Sequence, residues 1–324
     1  MQVVKKALQQ PVSLILFIAA IIILAIAPQY AKRYTVISLI TILMYVNLTM
    51  SWTIFSGPTN YISLASAGFF GVGVYLTAVF GRELPLYALA IMGGGISLGL
   101  AILIGLLTLR LKGVYFILFT FGVSALLRHS ISWWEATITG TVGRFVRGPG
   151  NETVYYYLLG VTVLVFVTAY VVRNTKFGLA LQGIGENEEA AAHIGINVTL
   201  YKIAGFGLSA IFMGATGAIM ANRWTYIDPT IAFNPLISFL PVLMAIFGGT
   251  SRLAGPILGA TIFTLLQEYL ITSYPYYYML LMGITLIVVI LFLPEGLLGL
   301  MSRLVERLSR IKVIKEFIAR FRSA

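Results

Sequence analysis

The sequence contains no cysteine. Disulfides, thiolate nucleophiles and cysteine metal centres are therefore excluded together. Histidine is scarce too: His129 and His193 are the only two, too few for a histidine-rich metal site. His129 stands beside Arg128 and His193 falls in a polar loop, positions that read as structural or surface ones. Charge is thin, at 10% of residues where soluble domains carry about 25%. There is no G-x-x-x-x-G-K-[ST] phosphate loop, so ATP hydrolysis is not expected in this chain. A Ser–His–acid set and a metal-binding helix are missing as well. We assign no catalytic residue, no metal ligand and no resident cofactor.

What remains is overwhelmingly apolar. Of 324 residues, 59% are hydrophobic, and the mean hydropathy is +0.94. The apolar residues come in blocks of about twenty, the length a helix needs to cross a bilayer core. The fold class expected is all-α, a polytopic integral membrane helical bundle. Ten spans are read near residues 12–28, 34–55, 58–80, 84–109, 113–134, 154–172, 203–222, 231–247, 254–272 and 276–294. Lys5 and Lys6 followed by an apolar stretch and Ala25-Ile26-Ala27 resemble a secretory signal. With so many spans following, the segment reads as a retained first helix.

The net charge of +11 would suggest nucleic acid in a soluble protein. Here the positive-inside bias explains it. With both termini cytoplasmic, fifteen basic residues fall inside and seven outside. Residues 303–324 hold seven of the basic ones, among them Arg303, Arg307 and Arg310, beside an apolar stripe of Leu304, Leu308, Ile311, Ile314, Ile318 and Phe321. Such a tail suits an amphipathic helix lying on anionic lipid. The chain thus divides into a transmembrane domain, 1–300, and a basic tail, 301–324. Membrane lipid is an expected partner and nucleic acid is not.

Two stretches interrupt the spans. Residues 57–66 are too polar and small for a lipid-facing helix, and 228–235 carry Asp228, Pro229, Asn234 and Pro235. Paired interruptions in a carrier point to a substrate path, while the alternative for each is a surface loop. Asn60, Ser63, Ser66, Thr139, Gly140 and Asn234 are the candidate polar lining, with helix caps or interhelical hydrogen bonds as the competing role. Gly95-x-x-x-Gly99 and Gly255-x-x-x-Gly259 mark close helix packing, in the interior or between subunits. Glu268 is the one acid read within a span, beside Gln267. A single acid argues against a self-sufficient ion-coupled carrier. No facing pair of catalytic groups supports an intramembrane enzyme.

The polar loop 173–202 is the most informative segment. Glu189-Ala190-Ala191 followed by Gly195 matches E-A-A-x-x-x-G. Glu186, Glu188 and Glu189 favour a helix N-terminus through the macrodipole, and Gly195 suits a left-handed helix end. A short helix between two spans, faced with small alanines, is suited to docking another protein.

This loop resembles the coupling loop of ABC importer permeases, and flanking blocks narrow the likeness to the LivM-type permease of branched-chain amino-acid transporters. The family pattern A-L-R-A-I-R-E-N-E-x-A-A-x-x-x-G-I-N is matched at Ala180, Leu181, Ile184, Glu186, Asn187, Glu188, Ala190, Ala191, Gly195, Ile196 and Asn197. Gln182 and Gly185 replace its two arginines. Residues 63–75, 111–116, 139–143, 247–259 and 293–297 resemble further family blocks, with Ser66 where histidine is usual. The resemblance implies a permease subunit whose coupling residues are Glu186, Glu188, Glu189, Ala190, Ala191 and Gly195. It also implies a paired homologous permease subunit, two ATPase subunits that bind ATP and Mg, and an extracytoplasmic binding protein, all at the cell membrane. Urea and short-chain amide permeases are similar in sequence and form the alternative substrate class.

Overall fold

The computed structural model describes residues 21, 23–108, 111, 113–292, 296, 297 and 299. Most of the first expected span, the basic tail and the block at 293–295 lie outside them. Residues 23–30 are helical and lead into α1 (Arg33–Thr59). There follow α2 (Ser66–Phe80), α3 (Leu86–Thr108), α4 (Val114–Trp134) with a π-turn at Glu135–Thr139, and α5 (Asn151–Asn174). Two short helices come next, α6 (Lys176–Glu186) and α7 (Glu188–His193), then α8 (Val198–Met220). The chain continues through α9 (Pro229–Ala232), α10 (Leu236–Gly248), α11 (Ala254–Ser273) and α12 (Tyr278–Phe292).

Among the described residues seven helical stretches are long and apolar enough to cross a membrane. The expected spans at 58–80 and 276–294 take the form of the shorter helices α2 and α12. The chain is therefore a multi-pass helical membrane protein. α1 is about 40 Å long at 1.5 Å per residue and forms the centre with α8. In each of these two, 72% of the most apolar stretch is buried inside the protein, against 17% in α4. α4 instead turns Leu118, Leu126 and Trp133 outward, as a helix facing lipid or another subunit does.

Glycine lets α8 meet its neighbours backbone to backbone. A Cβ added at Gly73 of α2 would lie 2.0 Å from the Gly214 carbonyl oxygen, and one at Gly217 would lie 2.0 Å from that of Phe70. Of the two spaced glycine pairs read from the sequence, Gly255 and Gly259 pack this way, against Gly249 and Met244 of the α10 end. Gly95 and Gly99 do not: they are exposed, with nothing within 4 Å. Among the described residues, that pair packs against nothing. The interior face of α3 is carried by Gly93 and Gly94, one helical step away.

The first interruption is realised as non-helical backbone from Asn60 to Ala65. Such backbone survives at membrane depth only where protein satisfies its polar groups. Side chains from three helices do so. Thr120 Oγ1 accepts from Leu64 N at 3.0 Å. Ser238 Oγ donates to Leu64 O at 2.7 Å and accepts from Ala67 N at 3.2 Å. Trp52 Nε1 donates to Ser63 O at 2.9 Å. The second interruption is mostly a single helical turn, α9, capped by Asp228, whose Oδ1 accepts from Thr230 N and Ile231 N at 2.8 Å.

At the far end of α2, β1 (Arg144–Phe145) pairs antiparallel with β2 (Tyr226–Ile227). This small ribbon covers one end of the bundle. The helices α6 and α7 lie at the other.

Candidate functional site

The loop read as one helix is two, broken at Asn187. Its extended backbone ends α6, and its side-chain oxygen accepts from Glu189 N at 3.1 Å and Ala190 N at 3.0 Å. Glu188 and Glu189 thus occupy the first turn of α7, where the macrodipole favours acids. Glu186 closes α6 instead. Gly195 has φ +88°, the left-handed conformation expected of it. Asn197 then caps α8, accepting from Leu200 N at 3.1 Å.

One side of α7 is anchored. Glu188 Oε1 lies 3.2 Å from Lys202 Nζ, near the start of α8. Tyr61 Oη, in the link between α1 and α2, donates to Glu188 Oε2 at 2.6 Å. The Lys202 ammonium also sits 4.1 Å from the centre of the Tyr61 ring, a cation–π contact. Lys202 is 1% exposed, although its place at the end of the polar loop 173–202 predicts a solvated cation. The anchor joins α7, α8 and the α1–α2 link at one point.

The other side of α7 is bare. Glu189, Ala190, His193 and Ile194 are exposed, Ile194 by 78%, while Ala191 is buried. The arrangement is a rigidly founded knob with a small, partly acidic and partly apolar face.

The remaining candidates are scattered. Asn60, with φ 56°, ends α1, and its Nδ2 donates to Gly185 O at 3.2 Å. Ser63 is buried, and its Oγ accepts from Ala65 N at 3.3 Å. Ser66 is buried with no hydrogen-bond partner for its hydroxyl among the described residues. Asn234 stands just before α10, its Oδ1 accepting from Leu236 N at 3.0 Å. Thr139 and Gly140 lie at the opposite end on the π-turn, where Thr139 Oγ1 donates to Glu135 O at 2.6 Å and Gly140 ends the turn.

That π-turn carries an acid the sequence reading missed. Glu135 is fully buried. It accepts from Tyr75 Oη at 2.7 Å, from Gly143 N at 2.8 Å and from Arg144 Nε at 2.8 Å. Glu268, the acid that was singled out, accepts from Ser38 Oγ at 2.5 Å and is part-exposed. The available signal for Glu135 was its place at the end of an apolar span nine residues before Arg144.

Seven membrane-length helices with a buried irregular segment among them, and a short helix beside them, make this a polytopic helical membrane protein. Residues 34–290 match the family model described as the permease component of the branched-chain amino acid transport system, and the chain belongs to that family. It is 23% identical over 87% of its length, and 74% of the relative's, to the high-affinity branched-chain amino acid transport system permease protein LivM of Salmonella typhimurium. The Escherichia coli LivM protein is 24% identical over the same shares. An L-arabinose ABC transporter permease protein of Azospirillum brasilense is 23% identical over 78% of this chain and 77% of its own. No solved structure matches the chain significantly.

Proposed function

We propose that this protein is the membrane-spanning subunit of an ATP-driven importer of branched-chain amino acids. The observation that carries the reading is the α7 knob, bare on its Glu189 and Ile194 side and tied through Glu188 to Lys202 and Tyr61. A helix held in this way passes a push on its outer face directly to α8 and to the buried α1–α2 link. In this reading α7 is the coupling helix: of the coupling residues, Glu189, Ala190 and Gly195 face a partner ATPase, Glu188 and the buried Ala191 anchor the helix from behind, and Glu186 closes α6 beside it. That partner binds ATP and Mg. A second permease subunit and an extracytoplasmic binding protein complete the assembly, and both termini and α7 lie on the cytoplasmic side.

The solute then needs only a polar path of low affinity. Ser66, whose hydroxyl has no partner among the described residues, is the side chain best placed to serve it. Sugar permeases among the relatives make the solute the part most in need of experiment. Uptake of labelled leucine, urea and arabinose is to be compared in cells with and without the gene. Loss of leucine uptake alone is expected; loss of urea or arabinose uptake instead moves the substrate. Glu189→Arg and Gly195→Pro are expected to leave the protein in the membrane and abolish uptake. Normal uptake in both overturns the coupling role.

A further inference from the structure

Beside the anchor lies a cavity of about 280 Å³ between the ends of α1 and α5, helix α6 and the turn at Thr250–Ser251. That is just below the usual range for small-molecule sites, about 300–1,000 Å³, and suits a small ligand. Its polar groups are of both signs. The Arg173 guanidinium lines it and is aimed by two backbone carbonyls: Nη1 donates to Ser251 O at 3.0 Å and Nη2 to Thr250 O. A guanidinium has five N–H groups, so donors remain for a ligand. The Glu186 carboxylate and the Gln182 amide also line the cavity. Both residues are solvent-exposed, and neither side chain has a hydrogen-bond or ion-pair partner among the described residues. Apolar wall comes from Ile54, Ala169 and Val172.

This chemistry selects a narrow class of ligand. Glu186 repels a simple anion and Arg173 repels a simple cation. A small molecule bearing both charges satisfies both groups, and a short hydrocarbon side chain fits the apolar wall. We propose that the cavity binds a small aliphatic amino acid in its zwitterionic form. The cavity is walled on one side by α6 and on another by α1, while Gly185 of α6 sits directly on the Pro58 carbonyl of α1. A bound zwitterion therefore bridges α5, α6 and α1 and restrains their relative movement. Solute accumulated on the α6 side slows its own import. The binding half of the proposal stands on the cavity alone; the inhibitory half rests on the importer reading above.

The test uses the purified transporter with its subunits attached and no binding protein present. Leucine is compared with leucinamide, which keeps only the ammonium, and 4-methylpentanoate, which keeps only the carboxylate. Leucine is expected to bind at least about tenfold more tightly than either. Glu186→Gln and Gln182→Glu, which respectively remove the partner of the ammonium and repel the carboxylate, are expected to weaken leucine binding at least about tenfold. Equal binding of 4-methylpentanoate, unaltered binding in both variants, or no leucine binding at millimolar concentration overturns the site. In proteoliposomes, leucine preloaded on the α6 side is expected to slow binding-protein-dependent uptake in the wild type, with a smaller ratio of slowing in Gln182→Glu. Uptake that ignores preloaded leucine overturns the inhibition while leaving the importer reading intact. Absence of any uptake, with leucine still bound, overturns the importer reading and leaves the site standing.

Discussion

The Glu188 carboxylate and the Lys202 ammonium stand 3.2 Å apart, with the lysine 1% exposed and the glutamate about a quarter exposed on its side chain. The pair is therefore asymmetric. Removing Glu188 strips a buried cation of this carboxylate, whereas removing Lys202 leaves a carboxylate that can reach water and Tyr61. Glu188→Gln is expected to cost about 1.5–3 kcal/mol and Lys202→Met less. Both are expected to lower solute transported per ATP hydrolysed. Thermal unfolding in detergent and the uptake-to-hydrolysis ratio measure the two effects. Equal destabilisation with an unchanged ratio would assign the pair a purely structural role.

Gly73→Ala is expected to be far more harmful than Gly95→Ala. The first places a methyl 2.0 Å from the Gly214 carbonyl, and the second meets nothing within 4 Å among the described residues. Backbone cannot rotate away as a side chain can, so the first change is expected to lose about 1–3 kcal/mol or more through overpacking. Gly95→Ala in a helix interior is neutral or slightly stabilising in the isolated subunit. Comparative thermal unfolding of the purified subunit decides between them.

Ser238→Ala removes a hydroxyl that serves two backbone groups, Leu64 O and Ala67 N. Leu64 lies in the irregular segment and Ala67 in the first turn of α2, both buried, where water is not expected to replace it. The expected loss is about 1–3 kcal/mol, larger than for Thr285→Ala, whose hydroxyl bonds only its own helix. Amide exchange at residues 64–67 is expected to accelerate in the first variant alone.

Glu135→Ala is expected to release the turn that follows it. Three donors converge on this carboxylate from α2, the turn and β1, and Arg144 loses its partner with it. Limited proteolysis near residues 140–150 is expected to quicken at least several-fold, and stability to fall by about 1.5–3 kcal/mol through the lost hydrogen bonds to a charged group, since Arg144, 28% exposed on its side chain, can still reach water. Unchanged cleavage would show that the β1–β2 pairing holds the turn unaided.

Local chemistry made some of this legible in advance. Apolar blocks marked the spans because bilayer thickness sets helix length. Gly195 and the acids near it announced a helix start and a left-handed stop, since capping and the macrodipole act within one turn. Glu186 went to α6 and not to α7 because Asn187 both ends one helix and caps the next. The missing arginine at Gly185 also has a tertiary cause: a Cβ there would lie 2.2 Å from the Pro58 carbonyl oxygen.

The sequence by itself determined a multi-span helical membrane protein, its family, and a polar loop built as a short helix, because hydropathy, charge bias and capping act over short stretches of chain. Tertiary structure alone decided which polar groups are buried and with whom. Lys202 reads as a surface cation and Glu135 as a loop-edge acid until residues 141 and 60 positions away, Tyr61 and Tyr75, are brought against them. Likewise, Gly93 and not Gly95 meets α8, because the crossing of two helices selects the face, and the spacing of glycines along one helix is the same on either.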